Sequence, residues 1–170
     1  MKAMILAKSA LDSVLAADAR TRSKVREDFG IEYASEGGYA ADVAEFHGLQ
    51  VVIENPVGSV RAGVDPDGKP WATEMTADYG YISGTEGADG DMVDVFIGPD
   101  KSSTTAYVAR CQVARKWGQY DEDKVMLGFP SEEAAREAFM QNYNDPRFLG
   151  GIDAMSIEKL KERLEAAGFT

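Results

Sequence analysis

The chain has 170 residues, 44% of them hydrophobic, which is enough for one domain with a real core and too few for two comfortable ones. A formal net charge of -11 excludes a protein that grips nucleic acid through its phosphates, because that needs a basic face and no Lys/Arg cluster appears. A single cysteine, Cys111, excludes an internal disulfide, and with His47 as the only histidine no zinc-ligand pairing exists.

The apolar opening from Met1 to Ala7 is cut by Lys8 short of a signal-peptide core, and no apolar run is long enough to span a bilayer. A soluble, cytoplasmic chain without a membrane partner is expected. From Ser9 to about Asp28, Leu11, Val14, Leu15, Ala19 and Val25 recur at helical spacing, with Arg20, Arg22, Lys24 and Arg26 where the helix dipole favours cations. This predicts an amphipathic helix ended near Gly30, and the boundaries expected are a helical extension over 1–34 and a compact domain over 35–170. Residues 35–38 read as a loop. Leu49 to Glu54 is β-rich and stops at Asn55-Pro56, Val57 to Val64 forms a second strand, and Asp65-Pro66-Asp67-Gly68 turns it into a third at Trp71-Ala72-Thr73.

Between Tyr79 and Gly90 four glycines in twelve residues predict a structured loop, after which Met92 to Ile97 resumes as a strand. Thr105 to Ala114 alternates as a strand, and Lys124 to Phe129 forms another after an acidic turn. Two helices close the chain: Ser131 caps the first, with Ala134, Ala135, Ala138, Phe139 and Tyr143 inward, and Ser156 caps the second, with Ile157, Leu160, Leu164 and Ala167 inward and Gly168 as its stop. About six strands flanked by helices predict an α+β fold, a small closed or strongly curved antiparallel β-barrel with helices at both chain ends.

Asp89, Asp91 and Asp94 place three carboxylates within six residues, where the glycine loop becomes a strand. Like charges this close repel unless a cation sits between them, and clustered carboxylate oxygens are what hard cations such as Mg²⁺ prefer. The alternative is a solvated acidic turn. A second cluster, Asp121-Glu122-Asp123-Lys124, also stands at a strand entrance, and alternation puts Glu122 and Lys124 on one face with Asp121 and Asp123 on the other. Glu122 and Lys124 pointing together suit a metal and a phosphate oxygen, although an exposed turn fits the same four residues. His47 reads as a surface histidine, Cys111 as an inert core thiol, and Trp71 and Trp117 as packing; Gly84 to Gly87 lacks the lysine and helix of a phosphate-cradling loop.

The block Tyr79-Gly80-Tyr81-Ile82 followed by Asp89-Gly90-Asp91-x-Val93-Asp94-Val95, with Val51-Val52-Ile53-Glu54-x-Pro56 upstream, resembles the signature of the family I soluble inorganic pyrophosphatases. The resemblance covers Leu49 to Phe129, and Phe139 to Asn144 more loosely. It implies an OB-like barrel of the pyrophosphatase type and Mg²⁺-dependent hydrolysis of pyrophosphate, with Mn²⁺ as an alternative cation. It implies Asp89, Asp91, Asp94, Glu122 and Glu54 as metal ligands, and Asp91, Asp89 and Tyr79 as catalytic groups. Arg61, Lys124, Tyr79 and Tyr143 would hold phosphate. Residues 121–129 are also similar to the pyrophosphatase-like domains of phage and mobile-element proteins, which implies a phage-encoded or virion-associated chain.

The departures are specific. Met92 replaces the family proline, Arg61 the lysine of the second strand, Gly63 an acidic residue, Glu74 an arginine and Asn144 a lysine, and Lys69 or Arg147 could supply a compensating cation from a different backbone position. They leave two other functions open: hydrolysis of another diphosphate or nucleotide, and a non-catalytic module whose helix at residues 9–28 docks on a partner or a second copy.

Overall fold

The computed structural model describes residues 4–5, 31–32, 42–64, 67–88 and 90–166. The helix expected over 9–28, the loop at 35–38, Asp65, Pro66, Asp89, Ala167 and Gly168 lie outside these. The chain divides into two compact units, residues 1–42 with 53–78, and residues 43–52 with 79–170.

In the first unit, β1 (Met4–Ile5) pairs in parallel with β2 (Ile31–Glu32). β5 (Val60–Val64) pairs antiparallel with β6 (Pro70–Glu74), and Val64 faces Pro70 across the expected turn. The segment before β5 is a turn instead of strand, closed by the Ser59 hydroxyl on the Pro56 carbonyl at 2.6 Å. Among the described residues, Ile53, Val60, Ala62, Met75 and Ala77 supply the buried apolar surface here.

A seven-stranded sheet dominates the second unit. Its strands are β3 (Asp42–Phe46), β4 (Leu49–Asn55), β7 (Asp78–Ile82), β8 (Asp94–Ile97), β9 (Thr105–Gln112), β10 (Tyr120–Leu127) and β11 (Leu149–Ser156). The spatial order is β11-β9-β10-β8-β7-β4-β3, so β11 and β3 are edges. The α+β class is correct, and the closed antiparallel barrel is not: the sheet is open and mixed, with β8 and β10 parallel. Composition explains this pairing. From Val93 to Gly98 and from Asp123 to Phe129 every residue except half-buried Asp94 is buried, as befits strands covered on both faces.

Besides the short β1 and β2, three strands of this sheet exceed what the sequence predicts. β3 joins β4 through His47-Gly48, whose φ values of 46° and 88° are both positive, as a two-residue hairpin turn requires. His47 is exposed, and its carbonyl accepts from Lys161 Nζ at 2.5 Å. β7 occupies the start of the expected glycine loop. β11 contains Gly150 and Gly151 and has no buried residue, so it carries little hydrophobic pattern. The acidic turn before Lys124 is itself strand.

The two C-terminal helices follow their caps. Ser131 Oγ accepts from Ala134 N at 3.1 Å to start α1 (Glu132–Met140), and Ser156 Oγ accepts from Lys159 N at 3.1 Å to start α2 (Ile157–Glu165). Ala135 and Phe139 of α1, and Ile157 and Leu160 of α2, are buried; Leu164 is half-buried. Beyond β8 and β10 the backbones touch: a Cβ on Gly98 would lie 2.5 Å from the Gly128 carbonyl, and Gly128 has φ +74°. Glycine is required at both positions.

Candidate active site

Tyr79 on β7, Asp94 at the start of β8, and Glu122 and Lys124 on β10 converge in the second unit. The parallel register sets Lys124 opposite Asp94. Alternation along β10 puts Glu122 on the same face as Lys124, with Lys124 Nζ 2.9 Å from Glu122 Oε1. Lys124 Nζ also lies 2.5 Å from Asp94 Oδ2 and donates to the Tyr79 hydroxyl at 2.7 Å. That hydroxyl in turn donates to Asp94 Oδ2 in a short bond. Tyr79 is only 3% exposed and Lys124 5%. Burial alone would push the Lys124 amine down, but the Tyr79 and Tyr143 phenols with Asp94 and Glu122 hold it well above the ordinary lysine range. These partners favour the ammonium form.

An aromatic row leads away from this cluster. Tyr79 lies 4.6 Å from Phe96 between ring centroids, Phe96 6.4 Å from Phe139, and Tyr143 stacks on Phe139 at 4.6 Å. Tyr143 is half-buried just after α1, and the row continues through Phe148 at 4.9 Å to Trp117 at 5.2 Å. Trp117 is thus packing, as expected, and Arg147 sits over its indole at 4.7 Å while gripping Asp145 through two nitrogens.

The loop between β7 and β8 is closed by its own backbone. Gly87 N donates to the Asp91 carbonyl at 2.6 Å, and Ile82 N to the Val93 carbonyl at 2.9 Å. Thr85 completes it, its hydroxyl donating to the Ile82 carbonyl at 2.6 Å while accepting from Val93 N at 3.0 Å. Thr85 carries no role in the sequence pattern beyond its glycine neighbours; the usable signal is a lone hydroxyl able to bond backbone in a glycine-rich stretch. The loop holds Asp91 exposed, next to exposed Met92.

Other candidates are placed elsewhere. Asp121 is exposed, whereas Asp123 is buried, with a register shift between Tyr120 and Asp123. Burial raises the Asp123 carboxyl, against the Tyr120 hydroxyl and the Arg163 and Arg110 guanidinium groups. Glu54 on β4 and Arg61 on β5 are half-buried and belong to the first unit, where Arg61 lies 5.9 Å from the Trp71 ring. The same ring explains Gly63, since a Cβ there would come within 2.7 Å of it. Glu74, Asn144 and Lys69 are exposed.

Among the described residues no three carboxylate, histidine or cysteine side chains are grouped to hold a metal ion. Mg²⁺ does not require such a cage, since it keeps much of its water and takes one or two carboxylates together with substrate oxygens. Exposed Asp91 and half-buried Asp94, both hard oxygen donors at the mouth of β8, fit that mode in kind and access. No described helix is long and apolar enough to cross a membrane.

The model of the family described as Inorganic Pyrophosphatase matches residues 32–165, which includes every residue of the cluster. No curated protein and no solved structure matches the chain.

Proposed function

Because the chain belongs to the inorganic pyrophosphatase family, we propose that it hydrolyses pyrophosphate to two phosphates in a Mg²⁺-dependent reaction, with Mn²⁺ as a substitute cation. The observation that carries this reading is the Tyr79, Asp94, Glu122 and Lys124 cluster lying inside the matched segment. Asp89, Asp91 and Asp94, with Glu122 and Glu54, are the residues that would hold the cation. Bound there, it would neutralise phosphoryl oxygens and acidify a water.

The chain's own groups do the rest. Asp91, exposed beside the loop, accepts a proton from the attacking water, with Asp89 two positions before it in the sequence. Tyr79 fixes the Asp94 carboxylate through its hydroxyl. Lys124, Arg61, Tyr79 and Tyr143 stabilise charge on the departing phosphate. The segment at 9–28, within an extension over 1–34 ahead of the 35–170 domain, would serve as a docking element for a partner or a second copy in a cytoplasmic, phage-encoded protein.

Phosphate release from pyrophosphate with Mg²⁺, measured on the wild type and Asp91→Ala, tests the reading. Turnover should require the cation and be lost in the variant; no cation-dependent turnover in clean protein would sink it. Exposed Glu74 and Asn144, standing where the family resemblance calls for cations, lead us to expect a raised KM. The same two residues favour a second reading, a non-catalytic module that keeps the fold. A panel of pyrophosphate, nucleotides and other diphosphates with Mg²⁺ and Mn²⁺ separates that reading from hydrolysis of a different diphosphate.

A further inference from the structure

An ammonium has three N–H donors and no acceptor. Lys124 Nζ has three oxygens around it, Asp94 Oδ2 at 2.5 Å, the Tyr79 hydroxyl at 2.7 Å and Glu122 Oε1 at 2.9 Å, so its donors are matched one for one by protein groups. Nothing is left on it for a phosphate oxygen. The two carboxylates it holds are also the ones assigned to a divalent cation. As it stands, the same two carboxylates are given both to a lysine and to a divalent cation.

Charge resolves this. Asp94 and Glu122 carry two negative charges close together and half-buried, an arrangement that favours a cation between them. Lys124 supplies it. A divalent ion arriving at these carboxylates would take over that duty and turn the local balance positive, which weakens the hold on the ammonium and repels it. A lysine stem with four rotatable bonds can then carry Nζ to a new oxygen.

We propose that Lys124 is the resident counter-ion of the Asp94 and Glu122 pair, that it competes with the divalent cation for them, and that cation binding releases its ammonium to a phosphate oxygen. This rests on the reading above, in which Asp94 and Glu122 serve the cation and the substrate is a phosphate anion. Cation and anion binding are then coupled through one side chain, beyond their mutual attraction, and by linkage each strengthens the other equally.

The probe is Mn²⁺, titrated into the full-length protein and followed through the spin resonance of the free ion, without phosphate and then with inorganic phosphate. In Lys124→Met, Mn²⁺ should bind at least about tenfold tighter than in the wild type, since its competitor is gone. Phosphate should bind the Mn²⁺-saturated variant at least about tenfold more weakly. Equal or weaker Mn²⁺ binding in the folded variant overturns the proposal. Should that variant fail to fold, the wild type decides alone. With lysine carrying ¹³C at Cε and the resonance assigned through Lys124→Arg, the Lys124 signal should move on adding Mg²⁺ without phosphate, and an unmoved signal at saturation overturns the proposal. The two readings fail separately: tighter Mn²⁺ binding without pyrophosphate turnover removes the enzymatic reading only, whereas normal turnover with unchanged Mn²⁺ affinity removes the competition only.

Discussion

Replacing Tyr79 with phenylalanine deletes one oxygen from the cluster and leaves the ring in place. The ring is 3% exposed and packs 4.6 Å from Phe96, so the apolar contacts survive. What disappears is a hydroxyl that accepts from Lys124 at 2.7 Å and donates to Asp94. A hydrogen bond to a charged group is worth about 1.5–3 kcal/mol. Two are lost, but Lys124 and Asp94 still hold each other at 2.5 Å, which keeps the total near the range for one, about 2 kcal/mol. With about 2.1 cal/mol/K of unfolding entropy per residue, a chain of 170 residues loses about 5–6 °C of Tm for that change. Thermal and urea unfolding of the wild type, Tyr79→Phe, Lys124→Gln and the double variant would measure it, with a coupling of about 1–2 kcal/mol expected between the two positions. A loss under about 0.5 kcal/mol, or strict additivity with Lys124→Gln, would refute the network as drawn.

Three further outcomes are expected. Mg²⁺ at a hundredfold excess over its Kd should add about 2.7 kcal/mol of stability, and Asp91→Asn should abolish most of the resulting rise in Tm; an undiminished rise would put the cation elsewhere on the acidic surface. Gly128→Ala should cost about 2 kcal/mol or more, because φ is +74° and the new Cβ would meet the Gly98 carbonyl at 2.8 Å. Gly118→Ala, with φ +95° and open space around it, should lose about half as much in urea unfolding, and equal losses would refute the close approach. Burial pushes the Cys111 thiol up to about 12, so native protein should resist alkylation at pH 8 and label only when unfolded. A raised pKa means that the folded state keeps its proton longer than the unfolded chain. The contribution is therefore complete below pH 9 and lost as pH climbs towards 12, and Cys111→Ala should flatten that decline.

What was legible in the sequence was local. Ser131 and Ser156 announce their helices because a cap is read within a few residues, and the shared face of Glu122 and Lys124 follows from strand alternation. The unbroken apolar run after Asp94 marks a buried strand. The pairing of that strand in parallel with β10 was not legible, since the residues that meet, Asp94 and Lys124, are thirty positions apart and no turn joins them directly. An antiparallel barrel was the natural guess from hairpin signals alone. β7 was hidden by glycine, and β11 by Gly150-Gly151 and its edge position, which leaves few apolar residues to alternate. The carboxylates of the cluster were found from charge crowding. That a lysine, and not only a metal, relieves the crowding of Asp94 and Glu122 depends on the parallel pairing of β8 with β10, which no local pattern encodes.

The parallel register also says where this protein can change length. Asp94 to Ile97 run beside Lys124 to Leu127 step for step, and the Gly98 and Gly128 backbones clasp each other just beyond. Everything the chain does between that clasp and the return of β10, including the turns at 101–104 and 113–119, lies outside the paired four residues. Insertions in those turns leave Asp94 facing Lys124, so they are places where relatives can lengthen, shorten or acquire new surface without disturbing the cluster. A single residue removed between Asp94 and Gly98 has the opposite effect. It draws Asp94 one step along the strand and turns its carboxylate to the other face, and no adjustment elsewhere in the sheet restores it.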